Sequence, residues 1–228
     1  MSLLQSTRLV LAPPHRAGFP FLAGGLAVML LGLLLWEPLA WLGALFVLFC
    51  LYFFRDPERV APARAGVFLA PADGRVVVLD QAPPPAELDL GNQPRWRIGI
   101  FLSVLDVHIN RIPAAGTITR IAYRHGRFFD ASLDKASEEN ERNAMAIRLP
   151  GGAVIAVVQI AGLIARRIVC EVAEGDAVTA GARFGLIRFG SRTDLYLPEG
   201  VEPLVAIGQR MVGGETVVAE PGRPGPAA

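Results

Sequence analysis

The stretch Ala144-Met145-Ala146-Ile147-Arg148-Leu149-Pro150-Gly151-Gly152-Ala153-Val154-Ile155-Ala156-Val157-Val158-Gln159-Ile160 decides the class of the main domain. Two short apolar runs, the second rich in β-branched residues, flank Pro-Gly-Gly, a strong turn signal, so the segment reads as strand, turn, strand. The pattern recurs outward in both directions. Gly74–Leu79, Arg97–Leu102, Gly116–Tyr123 and Arg167–Val172 are similar short runs, several followed by turn residues such as Glu174-Gly175-Asp176. Strands of this length and spacing predict a mainly β (α+β) chain whose main domain is a sandwich or barrel. The polar stretch Asp134–Asn143 reads as a loop or a single helical turn.

Toward the amino terminus the composition changes. Between Ala17 and Phe54 the only charged residue is Glu37, with Arg16 closing one end and Arg55 the other. Glu37-Pro38 divides the segment into two apolar runs, Phe19–Trp36 and Leu39–Phe54. At about 1.5 Å of rise per residue each run is near the lower limit for a bilayer span. Proline cannot continue a helix smoothly and glutamate prefers water, so the break reads as a turn at an interface, flanked by Trp36 and Trp41 as belt aromatics. Arginines on both flanks predict a hairpin with both ends cytoplasmic. The expected organisation is an N-terminal segment 1–16, a membrane-associating hairpin 17–55 and a β-rich domain 56–228. A secretory signal peptide is a poorer reading, because the run is too long and no small-residue cleavage site follows it.

Bulk composition narrows the function. Of 228 residues, 52% are hydrophobic and 19% charged, which excludes a disordered chain. The net charge of +1 provides no field for nucleic acid. Cys50 and Cys170 form neither a disulfide framework nor a zinc spacing, so no metal site is expected and a reducing compartment is implied. Lys135 is the only lysine, and it lies in a polar stretch, which argues against pyridoxal-phosphate chemistry.

The chemistry-bearing residues are dispersed. Phe189-Gly190-Ser191-Arg192-Thr193-Asp194 follows an apolar run, Pro71-Ala72-Asp73-Gly74 offers a carboxylate, and Asp106-Val107-His108-Ile109-Asn110-Arg111 offers a histidine. Serine, carboxylate and histidine are the ingredients of an activated nucleophile. The Gly-x-Ser-x-Gly elbow of many hydrolases is absent. Taken singly, Gly-Ser and Ala-Asp-Gly are ordinary turns, and His108 reads equally well as a satisfied histidine near a strand end.

In order and spacing, these residues resemble the phosphatidylserine decarboxylase family in its short proenzyme form. The resemblance runs from Phe54-Arg55-Asp56-Pro57 through Pro71-Ala72-Asp73-Gly74, Val107-His108-Ile109-Asn110-Arg111 and Asn140-Glu141-Arg142. It continues through Gln159-Ile160-Ala161-Gly162 and Ala165-Arg166-Arg167-Ile168 to Phe189-Gly190-Ser191. A second likeness is local: Glu174–Gly181 followed by Phe184–Ile187 is similar to the turn of lipoyl and biotinyl carrier domains, without their modified lysine. That hint favours a barrel-sandwich-like β domain behind the helical hairpin.

The family resemblance implies a cofactor made from the chain itself. Ser191 would attack the Gly190 carbonyl, and elimination and hydrolysis would leave a pyruvoyl group on residue 191, dividing the proenzyme into a β subunit (1–190) and an α subunit (191–228). The pyruvoyl carbonyl would form a Schiff base with the amine of phosphatidylserine and release carbon dioxide and phosphatidylethanolamine, a step of phospholipid biosynthesis at the cell membrane with the catalytic domain on the cytoplasmic side. Asp73 and His108 match the acid/base pair, and Arg166 and Arg167 are candidates for the lipid phosphate. Longer family members carry a second histidine three positions after the one matching His108; Arg111 stands there. His108 is thus open to a role in self-cleavage, in carbanion protonation or in both. The rival readings are a membrane-anchored, non-catalytic β-sandwich binding module and a pyruvoyl decarboxylase of a soluble amino acid.

Overall fold

A computed structural model describes residues 12–127, 139–162, 167–188, 190–223 and 225. The chain divides into two compact units, Met1–Glu58 and Arg59–Ala228.

The first unit is a helical hairpin of α1 (Phe19–Leu35) and α2 (Glu37–Phe53). The reversal falls on Trp36, which is extended (φ −167°, ψ 110°) and belongs to neither helix. Pro38 therefore lies in the first turn of α2, where its missing N–H costs no helical bond. Small residues let the helices touch backbone to backbone. A Cβ added to Gly32 would meet the Ala40 main-chain nitrogen at 2.1 Å, and one added to Gly43 would meet that of Met29 at 2.4 Å. Leucines such as Leu34, Leu35, Leu42 and Leu48 point outward and are exposed. Among the described residues, Arg16–Leu35 is the one helical stretch long and apolar enough to cross a membrane. The flanks of the hairpin are tied together: Pro14 bridges Arg55, His15 N–H donates to the Phe54 carbonyl (2.7 Å), and Asp56 N–H donates to the Pro13 carbonyl (2.9 Å).

The second unit is built from strands: β1 (Phe68–Leu69), β2 (Gly74–Ala82), β3 (Arg95–Leu102), β4 (Ile109–Arg111), β5 (Gly116–Arg124), β6 (Arg142–Arg148), β7 (Val154–Ala161), β8 (Ile168–Cys170), β9 (Ala177–Val178), β10 (Arg183–Ile187), β11 (Ser191–Tyr196), β12 (Arg210–Met211) and β13 (Val217–Ala219). Eight of them form one curled sheet in the order β12-β2-β3-β11-β7-β6-β5-β9, while β4-β10-β8 and β1-β13 form small sheets. All pairings between named strands are antiparallel. The mainly β expectation is met.

The quoted opening stretch is the β6–β7 hairpin, and its apolar residues serve both faces of the sheet. Met145, Ile147, Ile155 and Val157 join the main core with Ile98, Ile100, Leu102 and Leu195. Ala144, Ala146, Ala156, Val158 and Ile160 pack on the other face with Leu88 and Tyr196. Burial on both faces explains why these strands read as nearly continuous apolar runs rather than alternating ones. Two strands differ from the sequence reading. Arg142 and Asn143, read as part of a polar loop or turn, open β6; the adjoining 128–138 lie outside the described residues. Ser191–Tyr196, for which the sequence reading offered only the Gly-Ser turn signal at its start, is a central strand paired with β3 and β7 along its whole length.

The hairpin contact yields a direct test. Gly32→Ile should push the helices apart, because the new Cβ falls on the Ala40 backbone. Spin labels at exposed Leu26 and Leu45 should report a longer separation than with Gly32 intact, and an unchanged distance would refute the close contact.

Candidate active site

Strand register gathers the sequence-singled residues at one end of the curled sheet. Ser191 pairs with Leu102 of β3 on one side and Ala161 of β7 on the other. Asp73 immediately precedes β2, whose Arg75 pairs with Phe101, so it stands at the same end one strand beyond β3. His108 immediately precedes β4. Because Ile109 pairs with Leu186 of β10, it falls at the end of β10 from which the chain runs through Arg188 to Gly190. The five residues Ser103–Val107 link the neighbour of Ser191 to His108. Arg166 and Phe189 lie outside the described residues.

The junction itself is unusual. Gly190 has φ +70°, a left-handed conformation that favours glycine. No described residue beyond its chain neighbours lies within 4 Å of a Cβ built there, so among the described residues the torsion and not crowding makes the demand. Ser191 is fully buried, and its Oγ has no hydrogen-bond partner among the described residues. Buried hydroxyls are ordinarily hydrogen-bonded, so this orphan is an exception that calls for a chemical reason. The Gly190 carbonyl accepts from Gly162 N–H at 3.1 Å.

His108 is 1% exposed, and its Nδ1 lies 3.0 Å from the Asp106 carbonyl oxygen. A carbonyl only accepts, so Nδ1 carries the proton and, in the neutral ring, Nε2 carries the basic lone pair. Asp106 also braces the loop, its Oδ2 accepting from Ser103 N–H (2.9 Å) and Ser103 Oγ (2.7 Å). The sequence reading assigned Asp106 no role. Asp73 accepts from Arg59 Nη2 and from Gly213 N–H, both at 2.8 Å. Those two donors stabilise its charged form. The partner observed at His108 Nδ1 is thus the Asp106 carbonyl.

Behind the junction runs a buried amide chain. Asn143 Nδ2 donates to Gln159 Oε1 (3.0 Å), Gln159 Nε2 to Asn110 Oδ1 (2.9 Å), and Asn110 Nδ2 to Thr193 Oγ1 (3.3 Å). It ties β6 and β7 to β4 and β11, and so fixes the strand that follows His108 against the strand that begins at Ser191. Arg111 donates instead to the Gly181 carbonyl at 2.9 Å. Arg167 is exposed, and its carbonyl accepts from Arg188 N–H at 3.2 Å. Burial and then the neighbouring Arg167 charge push the Arg188 guanidinium below its ordinary value.

On the opposite face of β11, Arg192 and Asp194 form a two-bonded ion pair (2.7 and 2.9 Å), with neither residue more than 1% exposed. Burial, reinforced by the Asp194 charge, raises Tyr196 to about 12. An apolar recess of about 460 Å³ between Ala61–Leu69 and Leu149–Gly151 is at the far end of β7 from Ala161, on the order of 25 Å from Ser191 at strand rise. It does not belong to this site.

Residues 46–219 match the family model described as phosphatidylserine decarboxylase. The chain belongs to the phosphatidylserine decarboxylase family. It is accordingly an enzyme of the carboxy-lyase type. Three relatives, each named phosphatidylserine decarboxylase proenzyme, cover nearly all of it. The protein from Granulibacter bethesdensis is 67% identical over 96% of this chain and 90% of its own length. Those from Gluconacetobacter diazotrophicus and Gluconobacter oxydans are 64% and 63% identical, again over 96% of this chain and over 99% and 100% of their own lengths. The family match begins inside α2 and takes in every named strand.

Asp194→Asn should remove the two-bonded anionic partner of the buried Arg192 and cost about 3–5 kcal/mol of stability, read by urea unfolding. The double variant Arg192→Met/Asp194→Leu should recover most of that loss, since apolar replacement of a buried pair is often neutral. Equal losses in both variants would count against an electrostatic origin.

Proposed function

We propose that this chain is a proenzyme that cuts itself between Gly190 and Ser191 and then decarboxylates phosphatidylserine to phosphatidylethanolamine, a step of phospholipid biosynthesis. The observation that carries the reading is the junction itself: a buried, unpartnered Ser191 hydroxyl following a glycine with positive φ, in a chain of this family. The residues fit a pyruvoyl group at position 191, because the hydroxyl that would be consumed makes no hydrogen bond within the described residues. Such a group supplies an electrophilic carbonyl for the serine amine and a sink for the electron pair that carbon dioxide leaves behind.

The chain's own residues do the preparatory chemistry. His108, with Nδ1–H held by Asp106, takes the Ser191 Oγ proton at Nε2. Asp73, kept charged by Arg59 and Gly213, favours the imidazolium that results. Oγ bonds to the Gly190 carbonyl carbon as the carbon–nitrogen bond breaks, and the nitrogen receives the proton. Loss of the Ser191 α-proton then expels the Gly190 carboxylate, and water releases ammonia. Fragments 1–190 and 191–228 remain together as β and α subunits. His108 is also available to return a proton to the decarboxylated substrate. Arg166 and Arg167 offer charge to the lipid phosphate. The apolar hairpin supplies the membrane anchor, and its flanking arginines favour the cytoplasmic side for the catalytic unit.

The mass of the purified protein tests this. Two chains meeting at 190/191 are expected, with Ser191→Ala uncut; a single intact and active wild-type chain would end the proposal. His108→Ala should slow cleavage roughly 10²–10⁴-fold, the usual contribution of a general base. Normal cleavage together with normal turnover in that variant would remove His108 from the chemistry. Deleting residues 17–54 should release the protein from membranes, whereas continued sedimentation after salt extraction would place the anchor elsewhere.

A further inference from the structure

The Gly190 carbonyl is already engaged before any reaction. Gly162 N–H donates to it at 3.1 Å, continuing the ladder in which Ser191 opposes Ala161. The same peptide group is held from its other side. The Ala161 carbonyl, bonded to the Gly162 nitrogen, accepts from Asn140 Nδ2 at 2.8 Å. Asn140 is 1% exposed, and its own segment is pinned by Ala161 N–H donating to the Glu141 carbonyl (2.9 Å) and by paired main-chain bonds between Arg127 and Glu139–Glu141. One peptide unit therefore links the Asn140 amide to the Gly190 carbonyl oxygen in an unbroken line of hydrogen bonds.

That line has a chemical direction. A donor on an amide oxygen draws electron density from the nitrogen and makes its N–H a stronger donor. When Ser191 Oγ adds to the Gly190 carbon, the oxygen facing Gly162 gains the negative charge, and a fixed donor there is worth most when that charge is present. Resting on the self-cleavage reading above, we infer that the Gly162 main-chain N–H is the oxyanion donor for the acyl shift at Gly190 and that Asn140 is the positioning residue that aims and polarises it. In the balanced step, the oxygen–carbon bond forms, the carbon–nitrogen bond breaks, the Oγ proton passes to nitrogen, and the oxyanion exists only between the two events. After scission the Gly190 carbonyl is part of the β-subunit carboxylate, so this donor has no part in turnover.

The experiment follows the appearance of the 191–228 fragment in the full chain made by cell-free translation. Replacing the Gly162 amide with an ester, by placing glycolic acid at 162, removes the N–H, weakens the Ala161 carbonyl as an acceptor for Asn140, and should slow cleavage about 10²–10³-fold. Asn140→Ala should slow it roughly tenfold, a fraction of that cost, because the N–H remains but loses its support. Asn140→Asp should be slower than Asn140→Ala near neutral pH, since a carboxylate cannot donate and adds charge beside the oxyanion, and the gap should close as pH falls. A purely structural role would not produce that pH-dependent order. Hydroxylamine, which captures the ester, should leave each Asn140 variant as slow as before, because the affected step precedes the ester. Wild-type cleavage rates in the ester-linked chain, or rescue of the variants by hydroxylamine, would overturn the inference while leaving self-cleavage intact. A wild-type chain that never cuts would instead overturn the reading on which it rests.

Discussion

The constraint on which the second unit depends is the double pairing of β11. All six residues of Ser191–Tyr196 are laddered to β3 on one side and β7 on the other. Its two faces are buried in different ways. Leu195 enters the main core, while Arg192 and Asp194 cancel each other's charge on the opposite face and Tyr196 packs there with Val158 and Ile160. A strand held so completely orients its first residue by its backbone alone. The position of Ser191 is set by twelve cross-strand partners rather than by any bond of its own side chain.

The other parts of the site are hung from the same frame. Asp73 is the last residue before β2, His108 the last before β4, and Gly162 the first after β7. Each is a strand-end residue whose place follows from register, and the registers meet at Leu102–Ser191–Ala161. The buried amides of Asn143, Gln159 and Asn110 then lock the small sheet carrying β4 against the large one. Such a network specifies one arrangement because any slip leaves buried amides unsatisfied.

The apolar strands and the hairpin were legible because burial and charge avoidance leave plain traces in composition. Val154–Ala161 and Ile98–Leu102 announce themselves as strands, and thirty-odd uncharged residues around Glu37 announce paired helices. β11 was not legible, since Ser-Arg-Thr-Asp has the composition of a turn; the ion pair of Arg192 and Asp194, an interaction between neighbours on one face, helps make it tolerable inside a sheet. At the candidate site, Ser191, His108 and Asp73 were singled out through the order of several motifs, not through any property of the isolated residues. The contributions of Asp106, Arg59 and Gly162 were invisible because they act through main-chain atoms or through partners distant in sequence. A carbonyl that fixes a histidine tautomer has no side-chain signature at all.

Gly190 has a positive φ with open space around it. The demand at this position is therefore one of handedness. An L-alanine would be strained there although its Cβ would touch no described residue beyond the chain neighbours, while its mirror image, D-alanine, would adopt the same torsion without cost. Among genetically encoded residues only glycine is achiral, so at this position it does the work of a right-handed chain's missing D-residue.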